Sequence, residues 1–217
     1  IPVVILCGGK GTRLSEETVS KPKPMVEIGG KPILWHIMKT YSHFGVKRFI
    51  LALGYKGDYI KQYFYNYKYT GADISLKLDP KEKIKFLNHS DEKDWEIIFV
   101  DTGEETLKGG RIKRVEKYIQ SDLFHLTYGD GVCDLDINKL VNFHNSHDCM
   151  GSVTAVRPPS RFGELNIDGD NTVQELEEKP QMGKGLINGG FFIFDKQMLS
   201  YLSEDENCDF EFGPLQK

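Results

Sequence analysis

The chain has little cysteine and no excess of positive charge. Its four cysteines, Cys7, Cys133, Cys149 and Cys208, are scattered with no CxxC pair. That excludes a disulfide scaffold and argues for a reducing, cytoplasmic setting. The 28 Lys and Arg stand against 32 Asp and Glu, a formal charge of -4. There is thus no basic footprint for nucleic acid, and any anion must be met by locally placed cations and backbone N–H groups. No apolar run approaches membrane-spanning length and no signal peptide opens the sequence, so no membrane partner is expected. The chain begins at Ile1 without a methionine and stops at "FEFGPLQK", which reads as the start of a helix. Both ends are expected to be cut.

What is present is an ordinary globular composition, and 217 residues suffice for one substantial domain. "PVVILC" at 2–7 is a continuous apolar run, as expected of a strand buried on both faces. "KPILWHIMKTYSHFG" carries Ile33, Leu34, Ile37, Met38, Tyr41 and Phe44 at helical spacing, with Pro32 suited to the first turn and Gly45 to the stop. "RFILALG" reads as a second buried strand, and "YIKQYFYNYKY" as an aromatic helix that packs on the core. "DISLKL" reads as a further strand, and the charged, aperiodic segment 79–93 as an exposed excursion. "WEIIFVD" and "LFHLTYG" read as strands, and "GGRIKRVEKYI" and "DINKLVNFHNSH" as helices. Later strands are separated by turns such as 168–171.

Strands alternating with helices to about residue 150 imply an α/β fold: a Rossmann-like open, mostly parallel mixed sheet flanked by helices, with a smaller antiparallel addition. Ligands in such sheets sit at the carboxyl ends of strands, near a topological switch point. "CGGKGTR" and Gly129-Asp130-Gly131 both fall at such ends.

The glycine loop fails two familiar phosphate-binding templates. Gly9-Lys10 is followed by Gly11 and Gly30-Lys31 by Pro32, so neither makes a Walker A loop. The dinucleotide fingerprint needs a third Gly or Ala where Leu14 stands. The loop still has a physical logic. Glycines at 8, 9 and 11 let the backbone approach a triphosphate and point N–H groups inward. Arg13 supplies a forked donor suited to a departing pyrophosphate, and Lys23 a point charge for the phosphorus under attack. Pro22 and Pro24 are expected to hold the backbone around Lys23 extended. Lys21 is equally readable as surface charge.

Gly8-Gly9-Lys10-Gly11-Thr12-Arg13-Leu14 followed by Lys21-Pro22-Lys23-Pro24-Met25 resembles the signature of the sugar-1-phosphate nucleotidylyltransferases. The likeness runs on through "DTGEETLKGGRIKRV", "TYGDGVCDLD", "RFGELNID", "EEKP" and "INGGFFIF", and is strongest to the cytidylyltransferase branch, which makes CDP-glucose for surface-polysaccharide sugars. It implies the nucleotide-diphospho-sugar transferase fold as a single domain over 1–217, with residues 1–150 nucleotide-binding and 151–217 sugar-binding. It implies CTP and glucose 1-phosphate as substrates and Arg13 and Lys23 as catalytic residues. Leu6, Cys7, Gly8, Gly9, Lys10, Gly11, Thr12, Thr106, Arg111 and Gly129 would join them in holding the nucleotide. Glu178, Lys179, Asn188 and Gly189 would hold the sugar phosphate, with Tyr128, Arg161 and Phe162 as further candidates.

Asp130 would be a Mg²⁺ ligand. The family's second metal-ligand aspartate has no match before Lys217, so part of the carboxyl-terminal portion is expected to be missing. Arg111, donor-only, suits the O2/N3 edge of cytosine and opposes the N3–H of uracil, with Thr106 as a hydroxyl partner. Asp134 and Asp136 read as turn and helix-cap residues, and His144-x-x-His147, without further ligands, as no zinc site. Homo-oligomeric assembly is expected by resemblance alone. Two alternatives stay open: another nucleotide or phosphorylated substrate, and a non-catalytic regulatory subunit of the same fold.

Overall fold

The computed structural model describes residues 1–11, 20–78, 84–88, 91–158, 163–178, 185–213 and 215. Twelve strands lie along the described chain: β1 (Val3–Cys7), β2 (Glu27–Ile28), β3 (Lys31–Pro32), β4 (Arg48–Leu53), β5 (Ile74–Ser75), β6 (Lys85–Phe86), β7 (Glu96–Asp101), β8 (Leu123–Tyr128), β9 (Gly151–Val156), β10 (Glu164–Ile167), β11 (Val173–Glu177) and β12 (Ile187–Asp195). Four α-helices occur among the described residues: α1 (Ile33–His43), α2 (Gly57–Thr70), α3 (Lys108–Arg114) and α4 (Ile137–His144).

Six strands form the central sheet, in the order β7-β4-β1-β8-β12-β9. The first four are parallel, with Ile5 opposite Leu51 on one side and Thr127 on the other. β12 runs antiparallel to both β8 and β9. The chain builds outward from β1 through β4 to β7, then crosses to lay β8 on the other side. The crevice between β1 and β8 is thus the topological switch point, where ligands of open α/β sheets collect.

The apolar run of β1 serves two cores by the period of two. Val3, Ile5 and Cys7 face a cluster with Leu34, Ile37, Met38 and Tyr41 of α1, Ile60 of α2, and Ile137 and Leu140 of α4. Val4 and Leu6 face a second cluster containing Ile112 of α3, Phe192, Phe194 and Phe210. Burial on both faces explains the uninterrupted hydrophobicity of β1 and β4.

Several sequence expectations meet their counterparts. Asp136 caps α4, its Oδ1 accepting from the backbone N–H groups of Asn138 at 2.9 Å and Lys139 at 3.2 Å. Asp168 organises its turn by accepting from the N–H groups of Asp170 and Thr172. His144 and His147 both engage Ser152 Oγ, at 3.0 and 2.8 Å, which gives them a structural role. The aromatic helix α2 packs on the core as expected: Ile60 is buried in it and Tyr63 and Phe64 pack against it, while Tyr65 is 78% exposed. One expectation is corrected. "DISLKL" contributes just two strand residues, paired with β6 away from the central sheet.

His125, at 1% exposure, lies in the middle of β8 beside Tyr41. Burial pushes its pKa down to about 4, from an unfolded value near ~6.5. Its contribution to stability is complete above the unfolded value and is lost as pH falls toward the folded one. The shift corresponds to about 3 kcal/mol. Urea titrations across that window should show His125→Phe missing this acid-linked loss, whereas parallel profiles for the two proteins would refute it.

Candidate active site

A cleft of about 540 Å³ opens at the carboxyl ends of β1 and β8. Its floor is the departure of the chain from β1: Leu6, Cys7, Gly8, Gly9 and Gly11 line it, and Gly11 has φ of 65°. Cys7 is fully buried and burial pushes its thiol pKa up, so it meets the cleft as a small neutral packing residue. Lys10 turns away, its ammonium 2.5 Å from Glu105 Oε1 on the exposed side. Thr12, Arg13 and Lys179 lie outside the described residues.

Lys23 enters from above. Residues Lys23–Met25 form a single 3-10 turn, held by the Met25 N–H donating to Pro22 C=O at 2.8 Å and anchored by Met25, 1% exposed. Pro22 is extended as expected, but Pro24 sits inside the turn. A proline ring fixes φ near −65°, which suits either geometry. The turn aims Lys23 Nζ at Asp130 Oδ2, and the two form an ion pair.

Gly129 explains how Asp130 reaches that position. Its N–H donates to Leu6 C=O at 3.0 Å, and a Cβ there would fall 2.9 Å from the same oxygen and 3.0 Å from Pro24 Cγ. The end of β8 therefore passes against β1 and the Lys23 turn at a separation that requires glycine.

The opposite wall combines β8, β12 and α3. Asn188 Nδ2 donates to Tyr128 Oη at 3.3 Å, and Asn188 Oδ1 accepts from Gly190 N–H at 2.8 Å. A register shift between Asn188 and Phe192 turns Asn188 into the cleft. Gly189 packs in that irregularity, where a Cβ would lie 2.8 Å from Thr154 C=O, so its part is close approach to β9. Glu178 is exposed beyond β11 and does not line the cleft: β10 and β11 pair with each other as a separate ribbon.

Arg111 lines the cleft, with its terminal amino groups engaged by protein acceptors. It is 5% exposed, and its Nη1 donates to Thr102 Oγ1 (2.8 Å), Gly103 C=O (2.6 Å) and Leu53 C=O (3.1 Å). Nη2 donates to Gly8 C=O (3.1 Å) and Glu104 C=O (2.9 Å). Both terminal amino groups thus face protein acceptors, and the guanidinium clasps the ends of β1, β4 and β7 without presenting those donors to a base. Thr106 borders the cleft, with Oγ1 accepting from Arg114 Nη1 at 2.9 Å. The glycines before Arg111 admit a crossing strap, since Cβ atoms at Gly109 and Gly110 would meet the backbone at Cys208 and Asp205.

Three cleft residues escape the sequence reading, Leu107, Lys108 and Glu211. Lys108 adjoins the conspicuous "GGR", so its neighbourhood carried a signal. Glu211 lies among aromatics in "DFEFG", and nothing local distinguishes it from surface charge.

The arrangement offers a phosphate-sized glycine floor, a lysine and a carboxylate at the mouth, and a hydroxyl-and-amide wall opposite. The chain matches the Nucleotidyl transferase family model over residues 2–211 and belongs to that family. Among its relatives is the glucose-1-phosphate cytidylyltransferase of Salmonella typhi, 48% identical over 93% of this chain and 78% of the relative. The D-glycero-alpha-D-manno-heptose 1-phosphate guanylyltransferase of Campylobacter jejuni is 33% identical over 96% of this chain and 82% of its own length. The crystal structure of HddC from Yersinia pseudotuberculosis complexed with GMP-PN has a TM-score of 0.65 at 32% identity, covering 96% of this chain and 81% of that one.

Proposed function

We propose that this chain transfers a cytidylyl group from CTP to α-D-glucose 1-phosphate, giving CDP-glucose and pyrophosphate. The observation that carries the reading is the Lys23–Asp130 pair at the mouth of the glycine-floored cleft. Likeness to the Salmonella typhi enzyme supports the choice of nucleotide and sugar.

The chemistry needs no general base. A phosphate monoester with a second pKa near ~6 is largely dianionic at neutral pH. Its oxygen bonds to the α-phosphorus as the bond to the β-phosphate oxygen breaks in line, and pyrophosphate leaves. Backbone N–H groups of the loop at Gly8–Gly11 hold the triphosphate, and Lys23 follows the negative charge at the α-phosphate. Arg13 is assigned to the departing pyrophosphate and Lys179 to the attacking phosphate on the sequence motifs alone.

Asp130 is one carboxylate, and no cluster of three or more metal-ligating side chains occurs among the described residues. That donor set fits Mg²⁺, which takes one or two carboxylates and completes its shell with phosphate oxygens and water. Bound there, Mg²⁺ would neutralise triphosphate charge. The four free cysteines suit a reducing cytoplasm, and an activated hexose suits surface-polysaccharide synthesis.

Pyrophosphate release should be measured for CTP, UTP, dTTP and GTP against glucose 1-phosphate and mannose 1-phosphate, with Mg²⁺ and with EDTA. CTP with glucose 1-phosphate should be the fastest pair, and EDTA should stop it. A different best pair would reassign the substrates, and no release with any pair would favour a regulatory subunit.

A further inference from the structure

Glu211 is held on a strap that the fold takes trouble to anchor. Residues 204–211 cross α3: Glu206 C=O accepts from Leu107 N–H at 2.7 Å, Cys208 C=O from Gly110 N–H at 3.1 Å, and Glu204 C=O from Arg114. Phe210, fully buried, packs edge-on against Phe192 and Phe194 at 5.8 Å. Asp209 Oδ1 accepts from the N–H groups of Glu211 (2.7 Å) and Phe212 (2.9 Å), fixing the turn. With the residue before it in the core and its own N–H tied down, Glu211 carries its carboxylate into the cleft.

There it joins two elements. Oε1 accepts from Tyr128 Oη–H at 2.6 Å, and Oε2 accepts from Lys108 Nζ at 2.5 Å. Lys108 also lies 5.3 Å from the centre of the Tyr128 ring. Because the Tyr128 proton goes to Glu211, the phenolic oxygen is left as the acceptor for Asn188 Nδ2. Burial, reinforced by Glu211, pushes the Tyr128 pKa up and keeps that proton on the phenol. One carboxylate thus sets the direction of a hydrogen-bond chain running Tyr128 to Asn188, and it pairs a cation that would otherwise add to the phosphate-attracting field.

Resting on the cytidylyl-transfer reading, we propose that Glu211 is a positioning residue that orients the hydroxyl-binding wall formed by Tyr128 and Asn188. Its loss acts on the sugar phosphate and spares the nucleotide. Among the described residues the hydrogen bonds of its carboxylate go to Tyr128 and Lys108.

Calorimetric titration of CTP and of glucose 1-phosphate, with steady-state KM values, tests this on Glu211→Ala, Glu211→Gln and Tyr128→Phe. Glu211→Ala should weaken glucose 1-phosphate about tenfold and leave CTP within about twofold. Glu211→Gln, which keeps an acceptor for Tyr128, should recover part of the loss. Adding Glu211→Ala to Tyr128→Phe should cost little more than either change alone, the mark of action through a shared partner. Equal weakening of both ligands, no weakening of either, or full additivity would overturn the proposal. A wild-type protein that binds CTP and glucose 1-phosphate isolates such a result to Glu211. A wild-type protein that binds neither overturns the substrate reading, and this inference with it.

Discussion

Lys23→Ala is expected to lower kcat about 10²–10³-fold, the scale set by removing one donor aimed at developing charge. KM for either substrate should change far less, because the interaction strengthens as the α-phosphorus acquires its fifth oxygen. Lys23 is a compact charge on a buried turn, so Lys23→Arg should not restore the rate: a planar fork cannot occupy the same point beside Asp130. Stability should hardly move, since both partners of the pair are partly solvated. Single-turnover rates with saturating substrates measure the effect. A loss below tenfold would remove Lys23 from the chemistry.

Arg111→Met is expected to cost about 2–5 kcal/mol of stability, because the Gly103 and Glu104 carbonyls lose the donor that reaches them in the structure. Leu53 C=O fares better, since it also accepts from the Thr102 N–H and hydroxyl. Gly8 C=O keeps the Tyr55 N–H at 3.2 Å. For a chain of this size the loss corresponds to a fall in Tm of about 5–15 °C. Arg111→Lys should recover only a fraction, since one ammonium cannot span acceptors on three strand ends. Scanning calorimetry decides the matter. A variant that melts like the wild type but turns over CTP and UTP equally would return Arg111 to base reading.

The parts of this architecture governed by local pattern were legible in the sequence. Val3–Cys7 and Arg48–Leu53 announce themselves as apolar runs because a strand buried on both faces has no solvent side to mark. The spacing in α1 and the cap at Asp136 are likewise set within a few residues. Gly129-Asp130-Gly131 fell where a strand end was expected, and the structure adds the reason for the first glycine. Features depending on distant chain were not legible. That Gly109 and Gly110 make room for Cys208 and Asp205 rests on contacts about a hundred residues apart. That Arg111 meets carbonyls, and that Glu211 meets Tyr128, follows from strand ends and a strap that no window of sequence contains. A sequence shows that a side chain has donors; only the fold shows what stands opposite them.

The antiparallel entry of β12 has a consequence for how such a cleft can diversify. β1 and β8 run out of the sheet at the cleft, while β12 enters the sheet there with Asn188 as its second residue, so the cleft is bordered by outgoing chain on one side and incoming chain on the other. On the proposed cytidylyl-transfer reading, donor and acceptor recognition would thereby be separable by mutation. Substitutions confined to the approach to Asn188 should exchange one phosphorylated sugar for another while the nucleotide stays the same.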